Sequence, residues 1–259
     1  MEVYQHFRKD EQPFIDQIFN WKDYVEQRFV SKFTDFLDPR EQLIFQTIIG
    51  NNDQLQLAFY GGIDLAERKQ AVLAPYYEAI NDDHFPISVL KASYPMKFAN
   101  IEHRDVMGAF LSLGLMRKKL GDIIIDPNKG KIQLCVSADV ADFVKLQLTS
   151  IKRTKLQFEA CHPDQLLAPL DKWITYEGTI SSLRLDLLVK HIYRYSRSQA
   201  VQLIEKGDVK VNFKVIDNPA FIVETGDVLS CRGKGRSRLL NILGQTKKDN
   251  WRIQFQILS

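Results

Sequence analysis

Cysteine and histidine are scarce in this chain and badly placed for chemistry. Three cysteines (Cys135, Cys161, Cys231) and five histidines are scattered over 259 residues. No CxxC, HxxxH or HxH spacing occurs, so no metal and no dithiol redox centre is expected, and the three thiols read as reduced and half-buried. Long apolar runs are missing too. No stretch approaches the ~20 residues of a membrane span, and the N-terminus MEVYQHFRKDEQ lacks an apolar core and a small-residue cleavage site, so no span and a cytoplasmic location are expected. Repeats and low-complexity tracts are absent. So are the signatures of nucleotide chemistry: there is no HIGH or KMSKS-like pair, no GxxxxGK[ST], and no GxGxxG placed between a strand and a helix.

What is present is core material throughout, with 45% hydrophobic and 26% charged residues, as in a fully folded chain of two or three domains. The net charge of +3 conceals an asymmetry. Residues 1–180 hold 21 Lys+Arg against 25 Asp+Glu, whereas residues 181–259 hold 14 against 7. The first part is therefore at −4 and the last third at +7. A module that basic attracts polyanions, and phosphate contacts dominate nucleic-acid affinity.

Three domains are expected in an α+β chain. Over 1–80 the domain reads as mostly helical. Phe14, Ile15, Ile18, Trp21, Val25, Phe29, Phe33 and Phe36 recur at helical spacing, predicting one long or broken amphipathic helix from Phe14 to Leu37 whose aromatics are core. Asp38-Pro39-Arg40-Glu41 marks the start of a second helix running to about Ile49. A strand over 55–60 and a Gly61-Gly62 turn follow, and then a helix from about Leu65 capped by Asp64. Asp64 and Glu67 are the acidic candidates for a hidden catalytic base, against helix capping and a solvated first turn.

Over 84–162 the elements run strand (87–92), helix (104–113), strand (123–125), strand (131–136), helix (138–148) and strand (154–159). This βαββαβ order is the ferredoxin-like arrangement. RNA-recognition domains share it, but their aromatic signatures are missing, so the order alone assigns no RNA contact. Residues 163–180, with Pro163, Pro169 and Gly178, read as a connector.

The third domain, 178–259, carries the chemistry. In LRLDLLVKHIYRYSRSQAVQLIEKGDVKVN (183–212), Leu185, Leu188, Val189 and Ile192 form an apolar stripe that leaves Arg184, Lys190 and Arg194 to solvent. Ser196 caps a second helix and Gln199 completes a capping box. Arg197 and Ser198 sit in its first turn, where N–H groups and the dipole favour a phosphate. Lys206-Gly207 stops that helix, and Val209 and Val211 alternate with Lys210 and Asn212 as in a half-buried strand. Arg232, Lys234, Arg236 and Arg238 fall at every second position, so an extended chain would aim them to one side, while Gly233 and Gly235 leave room for an RNA backbone and can bend the strand out of that alignment.

RLD at 184–186, SRSQA at 196–200, LIEKGDVKVN at 203–212 and GDVLSCRGKGR at 226–236 closely resemble the alpha-L RNA-binding motif named for ribosomal protein S-four. The resemblance implies a helix-helix-strand fold with RNA contacts on Arg184, Arg197, Ser198, Gln199, Lys206, Lys210 and Asn212. Phe213 departs from it, since the family often has glycine after the asparagine. With YGGIDLAERK at 60–69 and GAFLSLGLMRKKLGDI at 108–123, the whole chain resembles the YlmH family of bacterial proteins. That resemblance implies a cytoplasmic, ribosome-associated factor linked to tRNA and nascent chains on stalled large subunits; with the catalytic signatures missing, a non-catalytic protein that recognises rRNA and tRNA on the large subunit in ribosome quality control is expected. A monomer with structured RNA as its partner and no cofactor is expected. The rival is an RNA-modifying enzyme of pseudouridine-synthase type, in which such a motif targets a catalytic domain. A third class is a protein-interaction adaptor whose acidic part binds the partner.

Overall fold

The computed structural model describes residues 7–50, 52–63, 65–96, 99–162, 165–167 and 173–258. The chain forms two compact units, Met1–Leu170 and Asp171–Ser259.

In the first unit, α1 spans Gln12–Arg28 and buries Ile15, Ile18 and Val25. It ends where Phe29 turns left-handed (φ 55°), its N–H donating to the Val25 carbonyl. The helix expected to reach Leu37 therefore stops nine residues early. Lys32–Phe33 forms β1 instead, because Thr34 N–H donates to the Ala71 carbonyl and Leu37 exchanges backbone bonds with Lys69. Tertiary pairing has overridden a helical spacing. Helix α2, Pro39–Ile49, starts as expected: the Asp38 carboxylate accepts from the Arg40 and Glu41 N–H groups, and Glu41 reaches back to the Asp38 N–H. The Arg40 guanidinium beneath it is buried in an ion pair with Glu11 at 2.8 Å.

Strands β2 (Leu55–Tyr60) and β3 (Gln70–Pro75) complete an antiparallel sheet in the order β1-β3-β2. The helix expected from Leu65 is not formed, and its capping residue Asp64 lies outside the described residues. All six residues of β3 are buried, so it reads as a continuous apolar run, which periodicity cannot separate from a buried helix.

The ferredoxin-like part follows with β4 (Ile87–Ser93), α3 (His103–Ser112), β5 (Leu120–Asp126), β6 (Lys131–Ser137) and α4 (Ala138–Gln147). Its last segment is broken into a small hairpin, β7 (Ser150–Ile151) with β8 (Thr154–Lys155), and a two-residue edge strand β9 (Glu159–Ala160). The sheet order β5-β6-β4-β9, antiparallel throughout, is the ferredoxin-like order. Leu90, Ile132, Leu134 and Val136 point from one face to meet Val106, Phe110 and Val144 of the helices.

The other face meets the N-terminal segment. Phe36, Ile63 and Ala66 pack on Ile124 and Cys135 of the sheet. Two stretches singled out in the sequence, 60–69 and 108–123, interlock here: the Asp122 carboxylate accepts from the Glu67 and Arg68 N–H groups at 2.7 and 3.0 Å. Asp35 pairs with both Lys118 and Lys119 at 2.8 Å. Gly121 is required, because a Cβ there would stand 2.6 Å from the Phe36 ring.

In the second unit, β10 (Trp173–Ile180) precedes α5 (Leu185–Tyr193) and α6 (Arg197–Glu205). Gly178, expected in the connector, lies in β10 at the spot where the His191 ring would meet any Cβ. Then come β11 (Val209–Val211), β12 (Lys214–Val215), β13 (Val228–Cys231), β14 (Gly235–Gln245) and β15 (Trp251–Leu258), in the sheet order β10-β15-β14-β13-β11-β12. Helical Leu185, Leu188, Val189 and Ile204 share one core with Val209, Val211, Leu229, Leu239 and Ile253 from one face of this sheet.

The β11–β12 loop is Asn212-Phe213, both at positive φ (48° and 66°), the backbone that a two-residue type I′ turn demands. Phenylalanine bears that conformation poorly. Phe213→Gly should therefore stabilise the protein by about 0.5–1 kcal/mol, a left-handed penalty of roughly 1–2 less roughly 0.4–1 for the added freedom of unfolded glycine. Chemical unfolding of the two proteins measures this, and a destabilised glycine variant would show that the ring contributes more than the strain costs.

Candidate nucleic-acid interface

The basic unit is organised by acids. Helix α5 starts without a side-chain cap; the Leu185 and Asp186 N–H groups donate instead to the Phe221 and Pro219 carbonyls. This sets Arg184 at the helix mouth and turns Asp186 inward, fully buried. Arg184 grips the Asp186 carboxylate with Nε at 2.9 Å and Nη2 at 3.1 Å, and Arg197 Nε approaches it at 3.3 Å. Burial alone would raise this carboxyl, but Arg184 and then Arg197 outweigh it and hold the group below the ordinary range. One buried anion thus fixes two guanidiniums at the start of both helices.

The capping box of α6 forms as expected: Ser196 Oγ accepts from Gln199 N–H at 3.2 Å and Gln199 Oε1 accepts from Ser196 N–H at 2.9 Å. Ser198 Oγ lies 3.0 Å from Ser196 Oγ. Ser198 and Gln199 are exposed, as are Lys190 and Arg194, the latter capping α5 in a left-handed conformation. Gly207 (φ 79°) ends α6. Beyond it Asp208 pairs with Arg232 at 3.3 Å and with Lys206 at 3.6 Å.

The alternating basic run does not form one extended row. Arg232 and Lys234 occupy the turn after β13, where Gly233 (φ 78°) and Gly235 (φ 85°) bend the chain. Lys234 Nζ sits over the Tyr195 ring at 5.4 Å, which brings it to the loop that carries Arg197. Arg236 and Arg238 alone keep the alternation, on β14. The Asn212 side chain is engaged within the protein. Its amide donates to the buried Asp227 at 2.7 Å and accepts from Val228 N–H at 2.9 Å, so it pins the hairpin.

Sequence reasoning missed Asp186, Asp208 and Tyr195. Asp186 left a signal: it stands three and seven residues before buried Val189 and Tyr193, on the inward side of α5.

Among the described residues of the first unit, no exposed aromatic lines the ferredoxin-like sheet for base stacking. The side that RNA-recognition domains expose is covered in part by Phe36, Ile63 and Ala66, with Leu166 and Leu167 packed against the same cluster. The rest opens as a polar cleft of about 670 Å³ lined by Lys91, Lys131, Gln133 and Glu159, without an aromatic. Lys91 is already 3.1 Å from Glu159. Glu67, a candidate base, follows the Gly61-Gly62 turn and its N–H is held by Asp122. Burial pushes the thiols of Cys135, Cys161 and Cys231 up, away from reactive thiolates.

This arrangement defines an RNA-binding protein of the S4-domain class. Residues 183–229 match the S4 domain model, and residues 81–165 match the model described as "Putative RNA-binding domain in YlmH". The chain is 44% identical over 255 residues, 98% of each sequence, to the ribosome-associated protein quality control protein P2 of Bacillus subtilis (strain 168). It belongs to the YlmH family. A structure of the cell division protein ylmH from Streptococcus pneumoniae superposes with a TM-score of 0.52 at 25% identity, covering 61% of this chain and 95% of that one. Over 84 residues, 31% of this chain and 39% of that one, it is 42% identical to small ribosomal subunit protein uS4 of Thermoanaerobacter sp. (strain X514). Among the described residues no helix is long and apolar enough to cross a membrane.

Because folded Asp186 titrates below its unfolded value of about 3.9, its stabilisation is fully present above that pH and is lost as the pH falls through the folded value. Asp186→Asn should cost about 1.5–3 kcal/mol near neutrality. In chemical unfolding the wild type should lose this advantage as the pH falls below about 4; curves that stay parallel would mean the ion pairs contribute nothing.

Proposed function

We propose that this protein is a non-catalytic factor that recognises folded ribosomal RNA, together with tRNA, on the large ribosomal subunit, in ribosome-associated quality control. The observation that carries this reading is the cationic edge built around Asp186, within residues 181–259, where basic residues are twice as many as acidic ones. Exposed Arg197, Ser198 and Lys234 converge at the start of α6, where backbone N–H groups and the helix dipole add to the attraction for phosphate. Arg184 contributes from the other side of the same carboxylate, and Lys190, Arg194, Lys206 and Arg232 extend the field. Gln199 serves the edge by fixing the turn.

Such a surface suits the backbone of structured RNA. The ribosomal setting and the process come from the name of the relative in Bacillus subtilis, which spans nearly the whole chain. We take the protein to act in the cytoplasm as a monomer, with parts at 1–80, 84–162 and 178–259, the first two giving reach and orientation. The enzyme reading has less behind it: the thiols are pushed away from nucleophilic form, and the acidic candidate Glu67 belongs to the junction with Asp122.

The test is sedimentation of lysate on a sucrose gradient. The protein should travel with large subunits at low salt and move to the top at high salt, since counterion release makes such binding salt-dependent. Arg197→Ala should remain near the top at intermediate salt. Arg197 is the residue to vary because its side chain is 63% exposed, whereas Arg184→Ala strips the buried carboxylate of its two-pronged partner and confounds binding with folding. Wild-type protein that stays with free soluble protein at low salt would refute ribosome association and favour a free tRNA or messenger target.

A further inference from the structure

The cations of the basic unit lie on two sides of its sheet. Paired residues on neighbouring strands project to the same face. Lys210 pairs with Ser230, and Ser230 with Arg236. Two residues along β14, Arg238 pairs with Gln256, and Gln256 with Thr175. Residues of the opposite parity, among them Val209, Val211, Leu229, Leu239 and Phe255, belong to the core shared with α5 and α6. Lys210, Arg236 and Arg238 therefore project from the sheet face that the helices do not cover, away from the edge that Arg184 and Arg197 occupy.

This face has a built centre. The Arg238 guanidinium lies over the Trp173 ring at 4.5 Å, and its Nε donates to Gln256 Oε1 at 2.6 Å. Gln256 Nε2 in turn donates to Thr175 Oγ1 at 2.8 Å. The guanidinium is thus held flat and oriented by three strands. Arg236 stands about 7 Å along the strand from it, and Lys210 about 10 Å across two strands from Arg236. Glu177, the acidic residue in these rows, is four positions from Trp173. Strands β10, β14 and β15 all fall outside the residues matched by the S4 domain model, 183–229, so on this surface the resemblance to that domain reaches Lys210 and not Arg236, Arg238 or the Trp173 ring.

We propose that this open sheet face is a second RNA-contact surface, taking phosphates of a folded RNA on Lys210, Arg236 and Arg238. The proposal rests on the RNA-binding reading above and adds a second side to it. Charge selects the occupant: three cations in adjacent rows, one fixed by stacking on an indole, suit a polyanion.

The experiment uses the full chain and deproteinised bacterial ribosomal RNA, titrated at several salt concentrations. Lys210→Gln/Arg236→Gln removes two sheet-face charges; Lys190→Gln/Arg197→Gln removes two on the helix side. The sheet-face pair should weaken binding about tenfold and flatten the plot of log affinity against log salt by about 1.5, at roughly 0.7–0.9 per lost phosphate contact. Lys210→Gln alone, at an exposed position that should not affect folding, should flatten it by about 0.8. The two pairs combined should show additive losses. A sheet-face pair with wild-type affinity and slope, beside a helix-side pair that has lost binding, overturns this proposal and leaves the RNA reading standing. Weaker binding with an unchanged slope also overturns it, because the residues would then act on shape. If neither pair alters binding, the RNA reading of this unit fails as well.

Discussion

A carboxylate with no access to water must be neutralised or paired, and Asp186 is paired twice. Much of the basic unit depends on that constraint. The ion pairs join the start of α5 to the start of α6. They also hold two guanidiniums in place before any ligand arrives, reducing the side-chain entropy lost on binding. The same device recurs. Asp208 collects Lys206 and Arg232, and buried Asp227 holds Asn212 and with it the β11–β12 turn. Asp186 and Asp208 thus act as anchors beneath cationic side chains, and Asp227 anchors Asn212. A charge excess of +7 over residues 181–259 is thereby organised, and self-repulsion, the usual cost of concentrated charge, is locally relieved.

The acidic unit uses charge differently. Its ion pairs and buried bonds tie segments together: Arg40 to Glu11, Asp35 to Lys118 and Lys119, and the Asp122 carboxylate to the backbone of Glu67 and Arg68. The ferredoxin-like sheet is thus joined to the N-terminal segment through a common core. Part of the sheet face on which RNA-recognition domains stack bases is covered here, and the rest is a polar cleft.

Much of this was legible in the sequence where local chemistry decides the outcome. The caps at Asp38 and Ser196, the stop at Gly207 and the βαββαβ order all depend on neighbouring residues, and all appear where expected. Errors fall where distant partners decide. Phe33 and Phe36 continue a helical spacing, yet Ala71 and Lys69 draw that segment into pairing with β3. Gln70–Pro75, buried on both faces, carries no periodicity to separate strand from helix. Among candidate site residues, the identity of the cations was readable but their grouping was not. Arg232, Lys234, Arg236 and Arg238 share a spacing of two, and only the left-handed glycines at 233 and 235 divide them between a turn and a strand. Asn212 looked outward by alternation and is turned inward by Asp227.

In the function proposed above, this protein meets folded ribosomal RNA through its basic C-terminal unit. Crosslinking in living cells, with sequencing of the bound RNA and identification of the crosslinked peptides, tests it most directly. The account predicts reads concentrated in a few structured segments of large-subunit RNA, with tRNA beside them, joined to peptides within residues 184–238. Reads spread evenly over messenger RNA, or crosslinks confined to the first unit, would contradict it.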